Sequence, residues 1–173
     1  MLPSFAAGME LPPHQPNCFG CGPRNQAGLH LRCQATDEGV AGRFRLEEHH
    51  EGGPGVAHGG IVAAVLDDLL GYLLYRLGHP MVTARLEVDY RRPLPLGIEV
   101  DAAARITSSE GRKVWAEGEL RDPTGAVYAQ ARGLFVRVAP EHFLRASADA
   151  LRRLASWQSA GAEGEAGPGP VGP

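Results

Sequence analysis

Two aspartates lie in the middle of the most apolar stretch of the sequence. The stretch runs from Ile61 to Leu77 and carries Asp67 and Asp68 among leucines and valines. Burying an unpaired carboxylate is costly, so it needs hydrogen-bond donors, a wet cleft or a part in a reaction. The reactions open to such a group are general-base and nucleophilic catalysis.

The residues around Asp67 leave room beside it. Its neighbours three and four positions away on a helix are Ala63, Ala64, Leu70 and Gly71, and three of the four are small. This spacing predicts a notch in which a substrate could lie. The structural alternative is that one aspartate caps a neighbouring loop and the other is solvated at an edge.

The triplet His58-Gly59-Gly60 precedes the apolar stretch. Glycines let another molecule approach the backbone closely. The free N–H groups of a first helical turn and the helix dipole favour negative charge. The triplet therefore fits stabilisation of a developing oxyanion, with His58 as an additional or orienting donor. The alternative is that His58 only fixes the glycine-rich loop by a hydrogen bond.

The elements that position these groups follow from periodicity. Apolar residues surround nearly the whole circumference of the helix, which indicates a buried helix. Alternation over 82–91 predicts a half-buried strand. One buried helix covered by one antiparallel sheet is an α+β layout, and a sheet curled around the helix is the hotdog fold. The helix is predicted over 59–77 and strands over 28–34, 39–46, 82–91, 98–107, 112–121 and 126–138, with turns at 108–111 and 122–125.

Composition changes divide the chain into four parts. We predict an irregular arm over 1–27, the hotdog domain over 28–139, a C-terminal helix over 140–158 and a disordered tail over 159–173. The tail sequence GAEGEAGPGPVGP cannot pack a core.

Length and charge limit the function classes. The 173 residues are 43% hydrophobic with a net charge of −3, and Lys113 is the only lysine. This balance argues against nucleic-acid binding. No signal peptide is expected, and the apolar stretch is too short and too charged for a membrane span. We therefore expect a cytoplasmic protein without nucleic-acid or membrane partners.

Three cysteines are too few for a disulfide scaffold. Cys18-x-x-Cys21, with Cys33 and His14 nearby, raises a zinc alternative. One CxxC supplies two ligands, whereas a structural zinc site needs four. The sequence-based prediction is therefore plain loop cysteines and no metal.

Several motifs together resemble the hotdog-fold acyl-CoA thioesterases, in the branch of the phenylacetate-pathway and thioesterase-superfamily enzymes. The matching residues are the triplet, Asp67, Thr83 and the run YRRPLPLG over 90–97. The arm segment 17–31 resembles one bacterial and mitochondrial subgroup. The likeness covers about residues 17–138.

The resemblance implies a role for each matched residue. Asp67 is implied to be the base or nucleophile, and the Gly59 N–H with His58 to polarise the thioester carbonyl. Thr83 is implied to position the attacking water. Gly52 stands where many relatives have an asparagine, so the water-holding side chain differs here. The implied reaction needs no metal or cofactor, since coenzyme A is part of the substrate.

Basic residues could bind the nucleotide tail of such a substrate. Besides Gly60, the substrate-binding candidates are Arg91, Arg92, Arg112 and Lys113. The alternative is that these side chains are strand ends reaching solvent.

Helix geometry predicts a site shared between two chains. Nine residues from His58 to Asp67 correspond to about 13.5 Å of rise and about 900° of rotation. The two residues therefore point to opposite sides of one helix. An isologous dimer, or a dimer of dimers, would bring one chain's His58 end to the partner's Asp67.

Two other functions fit the fold. One is a non-catalytic acyl-CoA sensor, although no DNA-binding segment is visible. The other is an enoyl-CoA hydratase, whose Asp/His arrangement is not found here. Fold analogy does not separate the three.

Overall fold

The computed structural model describes residues 5–143, 145 and 148, and its main body is a six-stranded antiparallel sheet around one helix. Its elements are β1 (Cys33–Ala35), β2 (Gly39–Phe44), β3 (Glu51–Gly53), β4 (Val56–Ala57), α1 (Gly59–Tyr72), α2 (Leu74–Leu77), β5 (Met81–Tyr90), β6 (Val100–Glu110), β7 (Lys113–Arg121) and β8 (Val127–Arg137). The strand order in the sheet is β1-β2-β6-β7-β8-β5. The predicted α+β hotdog arrangement is confirmed.

Helix α1 packs closely against the sheet because two strands carry glycine beneath it. A Cβ atom at Gly133 of β8 would lie 2.9 Å from the Leu70 side chain, and one at Gly118 of β7 would lie 3.2 Å from it. Leu66, Leu69 and Leu70 are fully buried in the resulting core. The predicted burial of the helix holds for this side, whereas Ala63, Ala64 and the two aspartates are only partly buried.

The predicted single helix is in fact two. Helix α1 ends at Tyr72, and the short α2 follows after Leu73. Gly71 lowers the helix propensity there by about 1 kcal/mol, and the Tyr72 hydroxyl donates to the Leu31 carbonyl at 3.1 Å. Gly78 ends α2 in the left-handed conformation, with φ of 67°.

Other boundaries differ from the sequence-based expectation by a few residues. The strand predicted over 28–34 is wrong over most of its length, since β1 has only three residues. Strand β6 continues through the first residues of the predicted 108–111 turn, and Gly111 makes the turn with φ of 54°. The 122–125 turn is present, with Asp122 accepting from the Thr124 and Ala126 N–H groups.

The segment between β2 and α1 contains structure that periodicity did not reveal. A 3-10 turn covers Glu48–His50, and β3 and β4 pair as a small hairpin. Strand segments this short carry no readable alternation. The hairpin leads directly into the first turn of α1.

The N-terminal arm is irregular but packed. Leu11 and Cys21 are fully buried in the same core as the helix. An isolated bridge joins Glu10 to Gln34 next to β1. The arm therefore covers part of helix α1 and is positioned by backbone hydrogen bonds to β1, such as Leu11 N–H to the Cys33 carbonyl at 2.8 Å.

Strand β5 is an edge strand. In the described part of the chain it pairs only with β8, through nine residue pairs from Met81–Arg137 to Tyr90–Ala129. Its other edge runs for ten residues with most side chains exposed. An open edge of this length is a template for pairing with another strand.

The described residues after Val138 belong to a unit separate from the sheet and helix α1. Of the C-terminal helix predicted over 140–158, the described residues 141–143, 145 and 148 are helical. Pro140 is a turn residue, so the described helix begins one residue later than predicted. The other positions of that helix and the predicted tail over 159–173 lie outside the described residues. None of the helices described is long and apolar enough to cross a membrane.

Candidate active site

Asp67 and Thr83 form the first part of the candidate site. Thr83, near the start of β5, donates its hydroxyl to Asp67 Oδ1 at 3.0 Å. Among the described residues this is the only hydrogen bond to the Asp67 carboxylate, which leaves Oδ2 available. Burial raises the pKa of Asp67, and the Thr83 hydrogen bond offsets only part of this effect. A more basic carboxylate with a free oxygen is suited to accept a proton.

The first turn of α1 forms the second part. His58 is the N-cap, and its Nδ1 accepts a hydrogen bond from the Gly60 N–H at 3.0 Å. In the neutral ring the proton then lies on Nε2, which becomes a donor. Within residues 5–143 the Gly59 N–H has no hydrogen-bond acceptor. The loop-fixing role and the donor role of His58 are therefore compatible.

Tyr90 is a neighbour of this turn that the sequence did not single out for a role of its own. Its hydroxyl donates to the Gly59 carbonyl at 2.8 Å, and a Cβ at Gly59 would touch the ring at 3.6–3.7 Å. Strand β5 thus contacts α1 twice, at Thr83 near its start and at Tyr90 at its end. Helix and strand hold Asp67 and Gly59 at separate places of one chain.

Gly52, at the position where many relatives have an asparagine, packs against the backbone of His58. A Cβ at Gly52 would lie 2.6 Å from His58 Cα, so no side chain fits there. Glu51 is engaged elsewhere, accepting from the Gly55 N–H at 2.7 Å. Neither residue therefore supplies the side chain that the resemblance led us to expect at this position.

Arg91 and Arg92 lie beside the first turn of α1. They line a cavity of about 330 Å³ together with Gly59, Tyr90 and Tyr128. Arg92 donates to the Val127 carbonyl at 3.0 Å, and Arg91 pairs with Asp89 at 3.4 Å. Both guanidinium groups are about half exposed, so they can also meet a ligand.

Arg112 and Lys113 lie at the other end of the sheet. Lys113 pairs with Val136 of β8, whereas Arg91 bonds to the Tyr128 carbonyl near the opposite end of that strand. Arg112 donates to the Arg137 carbonyl at 3.1 Å. One chain therefore does not bring the four basic candidates together. The larger depression, of about 760 Å³, lies on the sheet and is lined by none of the candidate site residues.

Asp68 faces the N-terminal arm, whereas Asp67 faces strand β5. Its Oδ1 lies 3.2 Å from His14 Nδ1 and 3.4 Å from Cys18 Sγ. Burial opposes a charge on His14, but hydrogen bonds with Asp68 and Cys21 outweigh it and raise the pKa of His14 to about 11. The His14 ring also packs against Gly71, so the arm occupies that side of the predicted notch.

Comparisons with known proteins point to one group of proteins. Residues 54–129 match the family model of the thioesterase superfamily. Acyl-coenzyme A thioesterase THEM4 of Xenopus laevis is 35% identical over 98 residues, which are 56% of this chain and 44% of that protein. The chain thus spans less than half the length of this relative.

Two solved structures share the fold. A crystal structure of a thioesterase superfamily protein has a TM-score of 0.66 and 32% identity, covering 69% of this chain and 60% of that one. A Bacillus halodurans protein solved with CoA has a TM-score of 0.52 and 26% identity, covering 57% of this chain and 66% of that one. The chain therefore shares the fold of these solved structures, and its residues 54–129 match the thioesterase superfamily.

Proposed function

We propose that this protein is an acyl-CoA thioesterase, which hydrolyses a CoA thioester to free CoA and a carboxylic acid. The environment of Asp67 carries the proposal. Asp67 is a half-buried carboxylate with a raised pKa. One of its oxygens accepts a hydrogen bond from Thr83, and the other has no hydrogen-bond partner among the described residues. The likeness to acyl-coenzyme A thioesterase THEM4 and to a protein solved with CoA supports this substrate class.

The proposed reaction begins with a water held by Asp67. As the water oxygen attacks the thioester carbon, Asp67 Oδ2 takes its proton. The carbonyl oxygen becomes an oxyanion, which the Gly59 N–H stabilises with His58 Nε2–H. Collapse leaves the carboxylic acid and expels the CoA thiolate, which takes up the proton from Asp67 as free CoA. Direct attack by Asp67 to form an anhydride, followed by hydrolysis, uses the same groups.

The site belongs in this proposal to two chains. Gly59 contacts Tyr90 at one end of β5, and Asp67 contacts Thr83 near its other end. Two copies of the open β5 edge, paired antiparallel about a two-fold axis near Leu86 and Glu87, would set Tyr90 of one chain opposite Thr83 of the other. The Gly59 turn would then face the partner's carboxylate.

The same pairing supports the assignment of the basic residues. Arg112 and Lys113 lie at the Thr83 end of the sheet, and Arg91 and Arg92 lie at the Tyr90 end. Across the two-fold axis the four residues would flank one acyl-CoA. Exposed arginines and lysines suit the phosphates of its nucleotide tail. A dimer, alone or within a dimer of dimers, is therefore the proposed assembly, and acyl-CoA is its ligand.

The activity is tested by following free thiol with a panel of acyl-CoA substrates from acetyl to palmitoyl, with phenylacetyl-CoA included. We expect release of one thiol per thioester for at least one member of the panel. Tight acyl-CoA binding without thiol release from any member would contradict the enzyme and favour the sensor.

Thr83 gives a second prediction, because its hydroxyl positions the carboxylate. Thr83→Val keeps the shape but removes the donor, and we expect kcat to fall about tenfold, since a hydrogen bond to a charged group contributes about 1.5–3 kcal/mol. Thr83→Ser keeps the donor and is expected to stay within about twofold of the original enzyme. Equal kcat values for the two variants would argue against this positioning role.

A further inference from the structure

We propose that His14, Cys18, Cys21 and Asp68 form a structural zinc site that joins the N-terminal arm to helix α1. We call these four residues the arm–helix cluster. Their ligand atoms all lie within 4.8 Å of one another. Three ligands come from one short segment of the arm, and the fourth comes from the central helix.

The spacing of the four atoms fits a tetrahedral ion. Bonds of about 2.0 Å to nitrogen or oxygen and 2.3 Å to sulfur place tetrahedral ligands about 3.3–3.8 Å apart. His14 Nδ1 lies 3.2 Å from both Asp68 Oδ1 and Cys21 Sγ, and Cys18 Sγ lies 3.4 Å from Asp68 Oδ1. These three pairs would keep their distance or move slightly apart to accept zinc, and any pair near the 4.8 Å limit would move about 1 Å closer.

Two glycines make this approach possible. A Cβ at Gly20, inside the CxxC, would lie 2.1 Å from Asp68 Cγ. A Cβ at Gly22 would lie 2.3 Å from the Cys18 backbone nitrogen. The sequence Cys-Phe-Gly-Cys-Gly thus curls tightly around the carboxylate, and side chains at these two positions would prevent it.

Buried charge and hydrogen bonding also point to a cation. The Asp68 side chain is only 9% exposed, and in the described part of the chain its buried Oδ2 has no hydrogen-bond partner. The backbone N–H of His14 donates to Cys21 Sγ at 3.2 Å, as backbone amides do for metal-bound thiolates. A divalent cation would offset most of the negative charge of the carboxylate and two thiolates.

Ligand type and number define the class of site. Two sulfurs, one imidazole nitrogen and one carboxylate oxygen suit zinc. Four protein ligands fill a tetrahedral shell and leave no position for water or substrate. The proposed metal is therefore structural and takes no part in thioester hydrolysis. It would fix the arm at the residue next to Asp67.

The test is metal binding by the full-length reduced protein. Zinc, titrated against a chromophoric chelator, is expected to bind with one ion per chain. Cobalt(II) is expected to give the visible spectrum of a tetrahedral site with thiolate-to-metal charge transfer. Cys18→Ala and Asp68→Ala are each expected to weaken zinc binding at least about 100-fold, because each removes a ligand.

Cys33→Ala is the matched control, since Cys33 is a free cysteine, buried like Cys21, that lies outside the cluster. It is expected to bind zinc like the original protein. Removing the metal from the original protein should increase hydrogen exchange in residues 10–31 more than in β7 and β8. No zinc or cobalt binding by the original protein, or unchanged affinity in Cys18→Ala and Asp68→Ala, would overturn the proposal.

Discussion

Replacing Asp67 with alanine is expected to lower kcat at least about 100-fold, the lower end of what general-base catalysis contributes. Asp67 is the proposed base, because its pKa is raised by burial and its Oδ2 has no hydrogen-bond partner among the described residues, whereas Oδ1 accepts from Thr83. Steady-state thiol release from the best substrate of the panel measures the loss.

Two further variants separate chemistry from folding. Asp67→Asn keeps the size and the Thr83 hydrogen bond but removes the base, so it is expected to be as inactive as the alanine variant. Asp68→Ala is expected to lower thermal stability, since Asp68 contacts the arm, and to lower kcat of the folded protein much less. A fully active Asp67→Asn, or equal losses of kcat at the two aspartates, would contradict the mechanism.

Most of the fold could be predicted from periodicity. The apolar periodicity of helix α1 and the alternation along β5 involve residues that are close together in the chain, so both elements can be predicted from the sequence. The 122–125 turn is equally local, because Asp122 bonds to residues two and four positions later. The break after Tyr72 could not be predicted in this way, because it accompanies a contact between Tyr72 and Leu31, 41 residues earlier in the chain.

The two aspartates differ in how far their contacts could be predicted from the sequence. Asp67 and Thr83 could be paired because both match motifs of one family, and the structure places them 3.0 Å apart. The environment of Asp68 could not be predicted, since His14 is 54 residues away. The CxxC supplied two ligands in sequence, and the carboxylate that completes the cluster is visible only in three dimensions. The only hint of this close packing in the sequence was the pair of glycines at positions 20 and 22.

Gly52 stands where many relatives have an asparagine, and the sequence alone did not explain this difference. The absence of the relatives' asparagine left open whether another side chain replaces it. The structure gives a steric reason, because a Cβ there would collide with His58. Any asparagine at this position would require the β3–β4 hairpin to move away from the start of α1.

Subunit mixing tests the central claim, a site made by Asp67 of one chain and the Gly59 turn of its partner. Gly59→Val should be nearly inactive, because its branched side chain would cover the free N–H, and loss of one such donor lowers kcat about 100- to 1,000-fold. A Cβ at Gly59 makes only ordinary contacts with Tyr90, so the variant is expected to fold. Asp67→Ala is the second inactive partner.

Equal amounts of the two variants are mixed under conditions that exchange subunits, and thiol release is measured. If chains pair at random, half of the dimers are mixed, and each has one intact site of two, so about one quarter of the original activity should return. Mass spectrometry of differently tagged chains shows whether exchange has occurred. No recovery of activity despite complete exchange, or an active monomer, would contradict the shared site.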